Sequence, residues 1–290
     1  YSISAGQTTT ANITPKALTV SGITASNRTY DGSTNVTLTG TAVYSGLVEG
    51  DTFDGTYTGA FSDKNVGVGK TVTITSSYSG VDVSNYSVTD QSSTTANITA
   101  KSLTVSGITA SSKTYDGSVT ATMNGNSVVY SGLVAGDTFN GTYTGAFSDK
   151  NVGTGKTVNI TPSYSGADVN NYSVTDQSTT TADISAKALT ATASASNKTY
   201  DGGTTASTTL TFTGLVGSET LGQTVGSTFD NKNVGTGKTV TVNSITLGDG
   251  SGLAANYSIS AGQTTTANIT PKALTVSGIT ASNKMYDGNT

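Results

Sequence analysis

The chain has 290 residues and a formal net charge of −4, and it contains no Cys and no His. These two absences exclude a disulfide framework, a thiol nucleophile and a His-based catalytic triad. Lys and Arg are scattered singly, so no basic patch for nucleic acid exists, and no apolar run reaches transmembrane length. We therefore expect no enzyme activity, no cofactor, no metal, no nucleic-acid partner and no membrane insertion in this segment.

The sequence repeats with a period of about 85 residues, and this period organises everything else. The stretch 11–32 returns at 96–117, at 182–202 with one residue fewer, and at 267–288. Tyr1–Asn27 reappears unchanged as Tyr257–Asn283, so we expect the chain to be a window of a longer array. The period predicts the end of a preceding repeat at 1–15, repeat 1 at 16–100, repeat 2 at 101–186, a divergent repeat 3 at 187–271 and the start of a following repeat at 272–290.

Short strands with period-two alternation are predicted throughout each repeat. In the first of them, Leu18 and Val20 alternate with threonine, a pattern typical of a half-buried antiparallel sheet. Asp-Gly pairs such as Asp31-Gly32 and Asp54-Gly55 predict turns between strands, as does the Gly-rich stretch 67–69. Six or seven strands in about 85 residues, with frequent turn signals, predict a β-sandwich.

One spacing favours an immunoglobulin-like type of sandwich. Asp82 precedes Tyr86 by four positions, the spacing of a tyrosine corner, in which the hydroxyl satisfies a backbone group. Asp168 and Tyr172 repeat this spacing, whereas the third repeat has Leu253 before its Tyr257. The junction at 95–105 has no flexible linker composition. The sequence therefore predicts an all-β fold of tandem β-sandwich repeats arranged as an elongated rod, and it favours the immunoglobulin-like type of sandwich.

Four motifs recur in fixed order and resemble a known family. They are Lys-Thr-Tyr-Asp-Gly, then Asp-Lys-Asn-Val-Gly-Thr-Gly-Lys, then Asn-Tyr-Ser-Val, then Ala-Asn-Ile-Thr-Pro-Lys. Together they resemble the YDG-type repeats, similar to MBG repeats, of large bacterial surface adhesins, including filamentous-haemagglutinin-like exoproteins. The resemblance covers essentially the whole chain. It implies a secreted or surface-anchored stalk and no catalytic residues.

Two chemical alternatives to plain solvated turns are an isopeptide bond and a calcium site. An isopeptide bond between Lys and Asn would need a neutral, desolvated lysine beside a protonated acid. The first repeat offers candidates of all three types, which are Lys16, Lys70, Asn65, Asn85, Asp31 and Asp63. A calcium site at Asp51 and Asp54 is disfavoured, because the counterparts Asp137 and Asn140, then Ser218 and Glu219, do not repeat the ligands.

The sequence predicts a structural stalk or fibre segment, extracellular at the cell surface or secreted, that supports attachment or biofilm. Its expected partners are neighbouring repeats of the same chain. The alternative function is that the repeats themselves bind glycans or host-matrix proteins, or associate laterally with other copies of the fibre. Binding would require an aromatic surface repeated along the array. Its candidate residues are Tyr44, Phe53, Tyr57, Tyr130, Phe139 and Tyr143. The sequence favours core or cross-strand packing for these rings over a ligand surface.

Overall fold

A computed structural model describes Tyr1 and residues 6–290, and its regular structure is almost entirely β-strand. The all-β prediction is confirmed. Repeat 1 contributes nine strands. They are β1 (Lys16–Ser21), β2 (Thr24–Ala25), β3 (Arg28–Thr29), β4 (Leu38–Thr39), β5 (Val43–Ser45), β6 (Asp54–Phe61), β7 (Gly67–Ser79), β8 (Tyr86–Thr89) and β9 (Ser93–Thr99).

Repeats 2 and 3 follow a closely similar order. In repeat 2 the strands are β10 (Lys101–Ser106), β11 (Thr109–Ala110), β12 (Lys113–Thr114), β13 (Thr120–Ala121), β14 (Met123–Asn124), β15 (Val129–Ser131), β16 (Asn140–Phe147), β17 (Gly153–Ser165), β18 (Tyr172–Thr175) and β19 (Thr179–Ser185). In repeat 3 they are β20 (Lys187–Ala188), β21 (Thr190–Ala195), β22 (Lys198–Thr199), β23 (Thr205–Ala206), β24 (Thr208–Thr213), β25 (Gly222–Phe229), β26 (Gly235–Gly248), β27 (Tyr257–Ser258) and β28 (Thr264–Thr270).

A single 3₁₀ turn, which the sequence pattern did not predict, precedes the second-last strand of each repeat. These turns are Val83–Asn85, Val169–Asn171 and Ala254–Asn256. Each one delivers its last residue, an Asn, directly before a buried Tyr. Within the described part of the chain, no helix has the length and apolarity that a membrane crossing requires.

The chain forms two compact units that do not coincide with the predicted repeats. Unit 1 comprises Tyr1–Thr109, Met123–Thr144 and Ile160–Thr180, and unit 2 comprises Ala110–Thr122, Gly145–Asn159 and Thr181–Thr290. Unit 1 therefore holds repeat 1 together with part of repeat 2, and unit 2 holds the rest of repeat 2 together with repeat 3. The predicted boundaries of the repeats stay a prediction.

Sheets in both units mix parallel and antiparallel pairs, whereas the alternation had predicted antiparallel pairing. In unit 1, β1 pairs antiparallel with β5 and parallel with β8, and a second sheet has the order β3-β9-β7-β6. Unit 2 contains the corresponding sheet of repeat 3, in the order β22-β28-β26-β25-β23. The parallel partner of β1 is about 70 residues distant, so period-two alternation carries no information about the direction of that pairing.

Core residues of unit 1 come from the inward faces of these strands. In β1, Leu18 and Val20 are fully buried while the threonine between them is exposed, as the alternation predicted. A larger cluster joins two repeats, and we name it the junction cluster. It consists of Tyr30, Phe61, Val72, Ala96 and Ile98 of repeat 1 with Leu103, Phe139 and Tyr172 of repeat 2. In unit 2, Phe229, Val240 and Ile269 lie in the core of repeat 3.

Two predicted turns lie inside strands instead. Asp54-Gly55 begins β6, and a Cβ on Gly55 would lie 2.6 Å from the Tyr44 hydroxyl and 2.3 Å from the Tyr57 hydroxyl. Gly55 therefore leaves space for two rings rather than turning the chain. Residues 67–69 begin β7, where a bulge and a φ of +61° at Gly69 replace the expected turn.

Candidate functional site at the repeat junctions

The Tyr-Asp-Gly motif forms a rigid turn at the end of β3. In repeat 1, the Asp31 carboxylate accepts the Ser33 N–H at 2.8 Å and pairs with Arg28 at 2.7 Å. Gly32 follows with a φ of +82°, which is left-handed backbone that glycine adopts without strain. The Tyr30 N–H donates to the Thr99 carbonyl at 2.9 Å. These contacts hold the Tyr30 ring in one orientation at the end of its sheet.

Tyr30 meets a buried carboxylate of repeat 2 inside unit 1. Its hydroxyl donates to Asp137 Oδ2 at 2.8 Å, and the hydroxyl of Tyr172 donates to the same oxygen at 2.5 Å. The two rings also pack edge to face, with centroids 5.6 Å apart. Tyr30 is only 1% exposed. Repeat 1 thus supplies one donor and repeat 2 supplies the acceptor and the second donor.

Lys64 completes this polar cluster from the Asp-Lys-Asn motif of repeat 1. Its Nζ lies 3.1 Å from Asp137 Oδ1 and 2.8 Å from Asp168 Oδ1. The two carboxylate side chains are 3% and 9% exposed, so both would be costly to bury without a cation. Lys64 also lies 5.9 Å from the centroid of the Tyr30 ring. One lysine therefore pairs with two acids of the next repeat.

The pKa values follow these contacts. Burial raises the pKa of Tyr30, and the bond to Asp137 raises it further, so the phenol stays protonated as the donor. Burial alone would raise the pKa of Asp137, but donors from Tyr172, Tyr30 and Lys64 outweigh it and hold that pKa below its usual value. The hydrogen bond from Lys64 is the main cause of the lowered pKa of Asp168. Both acids are therefore anionic at neutral pH.

Backbone and packing contacts extend the same junction. The Val66 N–H donates to Asn171 Oδ1 at 2.9 Å, and Asn171 Nδ2 donates to Asn65 Oδ1 at 3.1 Å. A Cβ on Gly32 would lie 2.8 Å from Val134 Cγ1. The glycine of the motif thus gives the valine of the next repeat room to approach, in addition to its positive φ.

The junction between repeats 2 and 3, in unit 2, has the same design with one acid fewer. Tyr115 and Tyr257 donate to Glu219 at 2.8 Å and 2.6 Å, and Lys150 lies 3.2 Å from Glu219. Leu253 stands where repeat 2 has Asp168. The hydrogen bond from Tyr257 is the main cause of the lowered pKa of Glu219.

The asparagine contacts recur there as well. Val152 N–H donates to Asn256 Oδ1 at 2.9 Å, and Asn256 Nδ2 donates to Asn151 Oδ1 at 3.0 Å. Asn256 is 1% exposed. Two independent junctions therefore use Tyr, Lys and Asn of one repeat against an acid and an Asn of the next.

The recurrence of the motif is matched by a comparison with known families. The model of the YDG domain matches residues 14–96, 99–182 and 185–267, which together are most of the chain. The chain belongs to the YDG domain family. No curated protein and no solved structure matches it. The immunoglobulin-like type of sandwich therefore stays a prediction, while the tandem YDG repeats are shown.

The predicted tyrosine corner of these YDG domains has the expected contacts. The Tyr86 hydroxyl accepts the Val48 N–H at 3.0 Å and donates to Asp51, and Asp82 accepts the Thr52 N–H at 2.9 Å. In repeat 3 the Tyr257 hydroxyl accepts the Val216 N–H at 3.0 Å. The corner tyrosine is therefore also the second donor of each junction, a link that its spacing alone did not reveal.

The six aromatic residues proposed as a ligand surface are placed differently from an exposed patch. Phe53 and Phe139 are buried, each 6% exposed, among neighbouring rings. The four tyrosines are half-buried, and their hydroxyls pair at 3.0 Å, Tyr44 with Tyr57 and Tyr130 with Tyr143. The six rings therefore do not form one exposed surface on the YDG domains. Ligand binding by the four tyrosines stays a prediction.

The other candidate residues are spread over different contacts. Lys16 is exposed, and Lys70 pairs with Asp63 at 2.6 Å, which favours a charged amine rather than the neutral one that an isopeptide bond needs. Asn65 belongs to the junction and the exposed Asn85 lies 3.5 Å from Asp82. Among the described residues, no three acidic side chains gather as a metal site would require.

The sequence pattern did not predict four of the residues that form the junctions. They are Lys64, Asp137, Asp168 and Asn171. The repetition of the sequence marks these positions. The Lys-Asn pair recurs at 150–151 and 232–233, and an acidic residue recurs at 51, 137 and 219. Repetition alone does not say that these positions meet across a junction.

Proposed function

We propose that these YDG domains form a load-bearing segment of an extracellular stalk of a bacterial surface adhesin, with no catalytic role. The observation that carries this is the buried Tyr30–Asp137–Lys64 contact, in which residues of one repeat depend on residues of the next. The partners of each repeat are then its two neighbours in the chain. Membership of the YDG family and the resemblance to adhesin repeats support the location.

The mechanical reasoning rests on directional contacts. Hydrogen bonds to ionised groups are stronger and more directional than neutral ones, and burial strengthens them further. In unit 1 the junction adds ring packing and the Val66–Asn171 bond to them. Strand β9 ends at Thr99 and β10 begins at Lys101, so one residue separates them. Such a junction resists bending, which is what a stalk requires of its joints.

A distance measurement between two spin labels tests this stiffness. The chain contains no Cys, so a Thr56→Cys/Thr142→Cys variant carries labels at two positions only. Both positions are exposed, equivalent in repeats 1 and 2, and part of unit 1. We expect a single narrow distance distribution by pulsed electron paramagnetic resonance.

Junction variants supply the comparison. Combining Tyr30→Phe with Lys64→Ser removes two donors to Asp137, and we expect the distance distribution to broaden while circular dichroism still reports folded repeats. The matched control is Tyr200→Phe with Lys232→Ser, at the same motif positions of repeat 3. A broad distribution in the unaltered junction would contradict the stalk proposal.

The proposed location has its own test. Brief protease treatment of intact cells of the source organism should release fragments that antibodies against the repeats recognise. Release only after the cells are lysed would contradict an extracellular location without affecting the stiffness result.

A further inference from the structure

Repeat 3 contains a cleft of about 540 Å³ within unit 2, between the start of β21 and the segment after β27. Its walls are residues 188–191 and 258–263. This volume lies in the range of ligand-binding clefts. The cleft is separate from the junction contacts of Tyr257 and Glu219, and the stalk proposal does not account for it.

The cleft opens where repeats 1 and 2 pair two strands. In repeat 1, β1 pairs in parallel with β8 over four residues, from Lys16↔Tyr86 to Thr19↔Thr89, and β10 pairs with β18 in the same register. In repeat 3, β20 and β27 pair over only two residues, Lys187↔Tyr257 and Ala188↔Ser258. The Leu189 N–H then donates to the Ser258 carbonyl at 2.8 Å, beyond which the pairing between β20 and β27 does not continue.

Two replacements explain the opening. Gln91 bridges the Ile23 backbone, accepting its N–H at 3.0 Å and donating to its carbonyl at 2.6 Å, and Gln177 does the same for Ile108. At the fifth position after the corner tyrosine, repeat 3 has Gly262 instead of this glutamine. The bridging side chain is therefore missing in repeat 3.

The second replacement removes apolar volume from the same place. Val20 and Val105 are both 2% exposed in repeats 1 and 2, whereas repeat 3 has Ala191 at this position, four residues after its first lysine. A cleft between two backbone segments is the result. The far wall is held in place, since the Gly262 N–H donates to the Val242 carbonyl of β26 at 3.0 Å.

Gln263 forms part of the far wall of the cleft. Gln263 Nε2 donates to the Ser260 carbonyl at 2.8 Å, while its Oε1 is buried with no hydrogen-bond partner among the described residues. Because backbone groups alternate in direction along a strand, those of Ala191 point the same way as the Leu189 N–H, toward this cleft.

We propose that the cleft of repeat 3 binds an extended peptide, which pairs as an additional strand with the edge of β21 or of 258–260. Its lining is Ala, Gly, Ser, Thr, Leu, Ile and Gln, with no aromatic ring and no charged side chain. Sugars are bound on aromatic faces and phosphates by cations, so neither finds its usual contacts here. Strand addition uses main-chain hydrogen bonds for affinity and small side pockets for selection, which this cleft offers.

The test uses the full chain and a peptide of the sequence of β1, Lys-Ala-Leu-Thr-Val-Ser, acetylated and amidated at its ends. This is the strand that pairs in parallel with Tyr86–Thr89 in repeat 1. We expect saturable shifts of backbone amide resonances at 188–191 and 258–263, with the equivalent positions of repeats 1 and 2 unchanged. A peptide N-methylated at alternate residues, which cannot form the strand hydrogen bonds, should bind at least tenfold more weakly.

Variants of residues in the cleft test whether the peptide binds there. Ala191→Val restores the residue of repeats 1 and 2, so it should fold and weaken binding about tenfold, and Ala191→Phe should abolish binding. The matched control, Thr192→Val, alters the adjacent exposed residue and should bind normally. Equal shifts in all three repeats, unchanged binding by Ala191→Val or by the N-methylated peptide, or no shifts at millimolar peptide would each overturn the proposal.

Discussion

Tyr30 shows at the scale of one residue how a short motif acts beyond its own repeat. Its ring is part of the junction cluster of unit 1, and its hydroxyl reaches the buried Asp137 carboxylate. Tyr200 has the same motif neighbours but is only half-buried, and its hydroxyl has no partner among the described residues. The motif tyrosine therefore contacts the next repeat in repeat 1 but not in repeat 3, so Tyr200 provides a matched control for variants of Tyr30.

Replacing Tyr30 with Phe removes the hydroxyl and leaves the ring. We expect the free energy of unfolding of unit 1 to fall by about 1.5–3 kcal/mol, the usual value of a hydrogen bond to a charged group. Urea unfolding followed by circular dichroism measures this. Tyr200→Phe should change stability by less than about 0.5 kcal/mol, as surface changes do. Equal losses in the two variants would show that the Asp137 bond does not stabilise the junction.

Gly32 and Gly202 separate backbone strain from packing. Both have a φ of +82°, so alanine at either position costs about 1–2 kcal/mol in left-handed backbone. Only at Gly32 would the new methyl also press on Val134, at 2.8 Å, while a Cβ on Gly202 would meet no atom within 4 Å outside its chain neighbours. We expect Gly32→Ala to lower the melting temperature more than Gly202→Ala does.

The double variant Gly32→Ala/Val134→Ala tests the cause of that difference. If contact with Val134 is responsible, Gly32→Ala should cost less stability in the Val134→Ala background than in the unaltered chain. An identical cost in both backgrounds would assign the whole effect to backbone strain.

The strands show how far local pattern predicts the elements. Alternation gave Leu18 and Val20 as buried positions of β1 because burial on one face of a strand is a local property. It could not give the parallel partner β8, since pairing direction depends on a contact about 70 residues away. The Asp54-Gly55 pair was misread as a turn because its glycine leaves room for the Tyr44 and Tyr57 hydroxyls.

Low pH should weaken the contacts that Lys64 of repeat 1 makes with Asp137 and Asp168 of repeat 2. The pKa values of Asp137 and Asp168 are lowered in the folded chain, so the stability that they contribute is fully present above their unfolded pKa near 4. It is lost as the pH falls through the lower, folded values. We therefore expect the melting temperature of unit 1 to drop steeply below about pH 4.

The Asp168→Asn variant isolates one of these acids. It should be less stable than the unaltered chain at pH 6, because Lys64 loses a partner, and its melting temperature should depend less on pH between about 4 and 2. Asp54→Asn, which alters an exposed acid at the start of β6 in the same unit, serves as the control. Parallel curves for Asp168→Asn and the unaltered chain would contradict a folded-state pKa shift at Asp168.

At the scale of the whole molecule, the period of about 85 residues was read correctly from the sequence, and the YDG family confirms it. The compact units do not follow that period, because the junction cluster combines side chains of two repeats. Sequence repetition identifies which positions are equivalent. It does not say that Lys64 and Asp168, in different copies of the pattern, form one ion pair.

This dependence predicts how fragments of the array behave. In tandem arrays, stability is approximately a sum of intrinsic repeat terms and nearest-neighbour interface terms. The fragment 16–100 exposes Tyr30 and leaves it without Asp137, whereas the fragment 16–186 retains the contacts of Tyr30 and Lys64 with Asp137 and Asp168. We expect repeat 1 to melt at a clearly higher temperature in 16–186 than in 16–100, as measured by calorimetry.

In 16–186 carrying Tyr30→Phe and Lys64→Ser, most of that gain should vanish. Equal melting temperatures of repeat 1 in the two unaltered fragments would mean that each YDG domain folds independently, with junctions that add contacts but no stability.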